Sequence, residues 1–199
     1  MKLRSTSIAA LAAAPLVLAG CAGGPAGAPP QAPQPPAPSA EAVAWTGKMC
    51  GLVSGFSTAQ KNLPELDRSN TATVKDSVIK RIDTAAQSAD DTVRGLQGLG
   101  APPVEGAGQV SAGFQEGFTQ VRDLLRGARE KAEQADPTDK QRFQQGMTAV
   151  QQELDKGSKL DLKDKFVQLE QNQQLNAAAH RAPECQPFFT KPQQQQPPR

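Results

Sequence analysis

The chain has 199 residues, enough for a single domain, with 37% hydrophobic and 21% charged residues and a formal charge of +2. Without Lys2 and Arg4, which fall in a segment expected to be removed, the 22 basic residues become 20 and equal the 20 acidic ones. That balance excludes the basic excess that phosphate neutralisation requires, so no nucleic-acid partner is expected, and interspersed signs argue against charge-driven binding to anionic lipid.

Residues 1–20 have the three parts of a secretory signal. Lys2 and Arg4 form a positive start, Ile8 to Leu18 an apolar run, and Leu18-Ala19-Gly20-Cys21 the close. The run falls short of the roughly 20 residues that span a bilayer. Small residues at 19 and 20 suit a peptidase that needs a narrow chain at its cut. Leu18-Ala19-Gly20-Cys21 resembles the lipobox of bacterial lipoproteins, whose cysteine thiol receives diacylglycerol and whose signal peptide is cut just before it. The resemblance covers four residues and implies a mature chain beginning at a lipidated Cys21, palmitate-like acyl chains, and a membrane anchor on the extracytoplasmic side. Two or more acyl chains meet the requirement for stable anchoring.

Residues 21–38 read as a lipidated cysteine followed by a Pro/Ala-rich tether. Polyproline II geometry at roughly 3.1 Å per residue gives it a reach on the order of 50 Å. A PxxP ligand is the alternative, but no basic residue flanks the prolines. With Cys21 acylated, Cys50 and Cys185 remain, and two cysteines in an oxidising compartment are expected to pair.

From Ser39 to about residue 190 the pattern is helical and no run alternates at period two, so no sheet is expected. Ala42, Trp45, Met49, Leu52, Val53, Phe56 and Leu63 line a first helix that Ser39 caps and Pro64 ends. Val74, Val78, Ile82, Ala85, Ala89, Val93 and Leu96 form the seam of a second, stopped by Gly98, Gly100, Pro102 and Pro103. Ala107, Val110, Phe114, Phe118, Val121, Leu125, Ala128 and Ala132 mark the third. Asp136-Pro137-Thr138-Asp139 reads as an N-cap, a first-turn proline and a first-turn acid. Phe143, Met147, Val150 and Leu154 line a fourth helix closed by Gly157, and a last helix is expected from about Leu162 to Arg181, with Phe166 and Leu169 in the core.

Stripes of this kind need one another for burial, and an up-and-down bundle is the usual solution. Cys50 lies about ten residues into the first helix, roughly 15 Å from its start, and Cys185 must reach that level. An even number of arms brings the chain back to the base of the first helix. The expected fold is therefore all-α: a bundle of four arms, the last broken near Gly157, stapled by one disulfide. Five separate helices are the alternative.

Motifs for chemistry are sparse. Ser77-Val78-Ile79-Lys80 matches the SxxK of penicillin-binding proteins, but no SDN-like or KTG-like element accompanies it. His180, the only histidine, sketches a metal site with Glu184 and Cys185 only by consuming the disulfide cysteine. Asp90 and Asp91 are adjacent and point about 100° apart on a helix. No catalytic residue, cofactor or metal ligand is assigned. Gly47, Gly51 and Gly55 form a smooth strip, which reads either as compositional bias toward Gly and Ala or as a surface beside which the extended segment around Cys185 crosses. Phe188 and Phe189 are expected to pack locally, and residues 191–199 to be a Gln/Pro-rich disordered tail.

Tyrosine is absent and Ala, Gly and Pro are plentiful. In layout and composition the chain resembles small secreted lipoproteins of high-GC Gram-positive bacteria, many without assigned function. The expected role is a tethered interaction or structural module that meets another envelope protein. The alternative is a carrier of a small apolar ligand held between helices.

Overall fold

A computed structural model of the chain describes residues 37–160 and 162–189. The expected lipobox with Cys21, the expected tether up to residue 36 and the expected tail at residues 191–199 lie outside the described residues. Those described form helices and no strand: α1 (Ala40–Lys61), α2 (Thr71–Gln97), α3 (Ala107–Gln134), α4 (Lys140–Asp155), α5 (Leu162–Gln171), α6 (Gln173–Arg181) and the single turn α7 (Gln186–Phe189). Tight 3₁₀ turns at Lys156–Lys159 and Pro183–Cys185 interrupt them. None of these helices is long and apolar enough to cross a membrane.

The longest pair is α2 and α3, antiparallel over roughly 40 Å. Arg129 pairs with Asp83 at 2.7 Å and Arg122 with Asp90 at 3.4 Å across their outer edge. Surface pairs of this kind add little to stability. More consequential is Lys75, whose Nζ donates to the Glu133 and Ala135 carbonyls at 2.6 and 2.8 Å, satisfying the end of α3 from the start of α2. Gly100 (φ 81°) and Gly106 (φ 78°) make the turns between the two helices in the left-handed region that disfavours side chains.

Two hydrophobic clusters line this pair. The larger gathers Trp45, Met49, Val93, Leu96, Phe114, Phe118, Leu169 and Leu175 at the α2–α3 turn. The smaller joins Ile82, Ala128, Ala132 and Val150 at the far end, with Met147 and Leu154 packed against it. All seven seam residues expected on α2 pack inward, but Val74 and Val78 are only half-buried.

The reason is the placement of α1. Leu52 occupies the space that a side chain on Gly95 would need, so α1 covers only the C-terminal half of α2. Residues 62–70 must then run back along α2 instead of making a short turn. The Asp67 amide donates to the Ser77 hydroxyl at 3.2 Å and Arg81 donates to the Pro64 carbonyl, tying this strap to the helix. Leu63, expected on the first helix, lies beyond its end at Lys61 and belongs to the strap.

The chain from α4 to α5 follows α3 in reverse. A side chain on Gly146 would meet Ala135, one on Gly127 meets Glu153, and Phe114 meets Phe166 edge-on at 5.0 Å. Asn172 donates to the Glu105 carbonyl at 2.8 Å at the end of this run. A 3₁₀ turn at 156–159 lies between α4 and α5.

Three local expectations need correction. Ser39 does cap α1, accepting from the Ala42 amide at 3.1 Å, but α4 is capped by Asp139, which accepts from the Arg142 amide at 2.8 Å. Asp136 is spent on an Asx turn with the Thr138 amide and hydroxyl, a short-range bond that competes with capping. The last helix is also two helices. Asn172 leaves the helical region (φ −81°, ψ 103°) and its side chain accepts from the Leu175 amide, stopping α5 and capping α6 in one residue. Residues 183–189, finally, are not extended. Prolines at the start of a turn lose no hydrogen bond, and Pro183 opens the 3₁₀ turn while Pro187 sits in the first turn of α7.

Candidate functional site

α1 meets α6 and the turns after it along a close seam. The break at Asn172 frees α6 to turn onto α1, where Ala178, Ala179 and Ala182 are fully buried. Small side chains let the two backbones approach, and α1 answers with Thr46, Gly47 and Cys50, all buried. This second buried face explains why a single stripe on α1 was an incomplete reading: the helix is covered from two sides.

Cys50 and Cys185 are bonded across the seam, with Cα atoms 5.0 Å apart and a sequence separation of 135. Both are buried. Bonded thiols neither titrate nor bind metal, which removes Cys185 from the metal sketch of His180 and Glu184. Among the described residues no group of three or more His, Cys, Asp or Glu is placed to hold a metal ion.

The glycine strip is used unevenly. A side chain on Gly47 would stand 2.7 Å from Glu184 Oε2 and 3.4 Å from Ala182 Cβ. On Gly51 it would meet Glu184 carbons only at ordinary contact, 3.8–3.9 Å, and on Gly55 nothing within 4 Å. The segment before Cys185 therefore crosses at Gly47, and what lies over the strip is mainly the Glu184 side chain, not backbone.

Residues 181–189 separate two hollows. On one side Arg181 and Glu184, with Val43, Gly47, Lys48 and Gly51 of α1, border a shallow groove of about 670 Å³. It begins at Pro38, just before α1. On the other side lies an apolar pocket of about 240 Å³, walled by Cys50, Phe166, Leu169, Phe188 and Phe189 with Glu170 at its mouth. Phe188 and Phe189 pack locally, as expected: Phe188 against Phe166 at 4.8 Å, Phe189 stacked on His180 at 4.3 Å.

The remaining motifs are accounted for structurally. The Ser77 hydroxyl donates to the Val74 carbonyl at 2.9 Å and accepts from the Asp67 amide, so it fastens the strap. Asp90 pairs with Arg94 and Arg122, and Asp91 with Arg94. Two carboxyls are held below the ordinary aspartate range, both in turns. Hydrogen bonds from Ser69 lower Asp67, and those from Thr138, aided by Arg142 and Lys75, lower Asp136. Perturbation of this origin is turn chemistry.

The pocket and the groove were not read from the sequence. Their signals were present in Phe166, Phe188 and Phe189 and in Gly47 and Gly51, but only the break at Asn172 brings these segments together. No protein-family model, curated protein or solved structure matches this chain.

Proposed function

We propose that this protein is a lipid-anchored extracytoplasmic module of the cell envelope, whose helical bundle presents the groove beside α1 to a segment of another envelope protein. The observation that carries the reading is the position of the groove. It opens at Pro38, the first part of the domain beyond the tether, and the small residues Ala44 and Gly51 on α1 leave room along it for an extended chain. Lys48, Arg181 and Glu184 on its edges supply both signs of charge for register. Lipid on Cys21 would hold that surface at the membrane, within the on-the-order-of 50 Å reach of the tether. No catalytic role, cofactor or nucleic-acid partner is assigned.

The proposal includes a topology. Helices α1, α2 and α3 and a fourth arm made of α4 and α5 run up and down, and α6 returns along α1 to bring Cys185 to Cys50. The contacts of α3 with Gly146, Glu153, Phe166 and Asn172 in descending order support this reading.

A photo-crosslinking residue at position 48, in the protein anchored in its own cells, tests the groove. One discrete envelope partner is expected, lost when Ala44→Trp fills the groove and not obtained from position 145 on α4. Identical products from 48 and 145, or a product indifferent to Ala44→Trp, would reject the groove as the contact surface.

A further inference from the structure

We infer that the pocket beside the disulfide is a binding site for a small amphiphile with an apolar body and a cationic head, an alkyl- or arylalkyl-ammonium. This site is separate from the groove and does not depend on the reading above.

The walls are preorganised. Three of the seven phenylalanines of the chain face one hollow. Each ring is held by a second contact: Phe166 by Phe114 at 5.0 Å and 74°, Phe188 by Phe166 at 4.8 Å, Phe189 by His180 at 4.3 Å and 26°. The disulfide fixes the backbone of the turn carrying Phe188 and Phe189 against α1. Rings fixed this way cannot fold into the space they border, so the hollow persists without an occupant and binding orders little that was not ordered already.

Size sets the body of the ligand. At about 240 Å³ the pocket exceeds the roughly 150 Å³ apolar cavity that accepts benzene. It falls below the roughly 300–1,000 Å³ of drug-sized sites. A phenyl ring with a short arm, or a chain of about six to eight carbons, matches it.

Charge sets the head. Among the described residues, Glu170, exposed at the mouth, is the one ionisable group of the lining. Lys165, one turn earlier on α5, lies against Gly113 of α3. Lys48 and Arg181 border the groove on the far side of residues 181–189. An anionic head would meet the carboxylate and the negative faces of the aromatic rings, whereas a cationic one is attracted to both. The ligand class follows from the two features together.

The test uses the full chain carrying Cys21→Ala, so that no attached acyl chain competes. Hexylammonium, hexanol and hexanoate share one body and differ in head charge. Each is titrated at constant ionic strength with fluorine-labelled phenylalanine followed by NMR. Saturable binding of hexylammonium is expected, shifting Phe166, Phe188 and Phe189 but not Phe143 of α4. Hexanoate should bind at least about tenfold more weakly, and Glu170→Lys should invert that order with an unchanged melting temperature. No saturation by hexylammonium at millimolar concentration, equal binding of hexanoate, or an order indifferent to Glu170→Lys would overturn the inference.

Discussion

Gly146 of α4 lies so close to Ala135 that a β-carbon at 146 would stand 2.8 Å from the Ala135 Cα and 2.5 Å from its Cβ. The obstacle is backbone at the turn between α3 and α4, which cannot swing aside as a side chain would. Gly146→Ala should therefore destabilise the protein by about 1–3 kcal/mol, against a helix propensity that favours alanine by about 1 kcal/mol. Gly55, also inside a helix but with nothing within 4 Å, should show propensity alone. Urea unfolding of the two variants should give opposite signs, and a stabilised Gly146→Ala would show that α4 does not rest on Ala135.

Asn172 is the joint that turns the chain from α3 onto α1. Its Oδ1 accepts from the Leu175 amide at 3.1 Å and its Nδ2 donates to the Glu105 carbonyl at 2.8 Å. Asn172→Ala removes both, and loss of the cap alone costs about 1 kcal/mol. Amide exchange should quicken first in α6 while α2 stays protected. Exchange that rises equally in α2 and α6 would mean that α6 has no stability of its own to lose.

The two long central helices were legible in the sequence because their seams repeat unbroken from Val74 to Leu96 and from Ala107 to Ala132. The α4 cap was misplaced because Asp136 and Asp139 are both good caps, and only the Asx turn with Thr138 decides between them. The split at Asn172 was hidden for a different reason. An asparagine among glutamines is compatible with a continuing helix, and its capping role depends on Glu105, 67 residues away in sequence. The strap of residues 62–70 escaped because it follows from the offset of Leu52 against Gly95, a register between helices that a stripe does not carry.

The disulfide closes a loop of 135 residues, and chain entropy puts its contribution at about 5 kcal/mol as an upper figure. A Cys50→Ala, Cys185→Ala double variant should melt well below the oxidised protein. Its loss should fall on α6 and the turns after it more than on the Ile82–Val150 cluster. Peptide mapping without reductant should find the Cys50–Cys185 link and no free thiol in the helical domain. Ready alkylation of both cysteines would contradict the pairing.

Asp136 makes stability depend on acid pH. Its folded carboxyl sits below the ordinary value because Thr138 donates to it, so its contribution is present above the unfolded pKa and fades as pH falls through the folded one. Asp136→Asn should lower the melting temperature at neutral pH, and the gap to the parent protein should close below the carboxylate range. A gap that is unchanged down to that range and beyond would remove the carboxylate charge from the account.

Under the proposed function, lipid on Cys21 holds this helical domain to a membrane. Intact mass and N-terminal fragmentation of the protein extracted from its own cells test it most directly. The account expects a mature chain that begins at Cys21 and carries a diacylglycerol thioether, and expects Cys21→Ala to leave an uncut precursor or a mislocalised protein. A mature chain with an unmodified Cys21, or normal cleavage and membrane retention of Cys21→Ala, would contradict it.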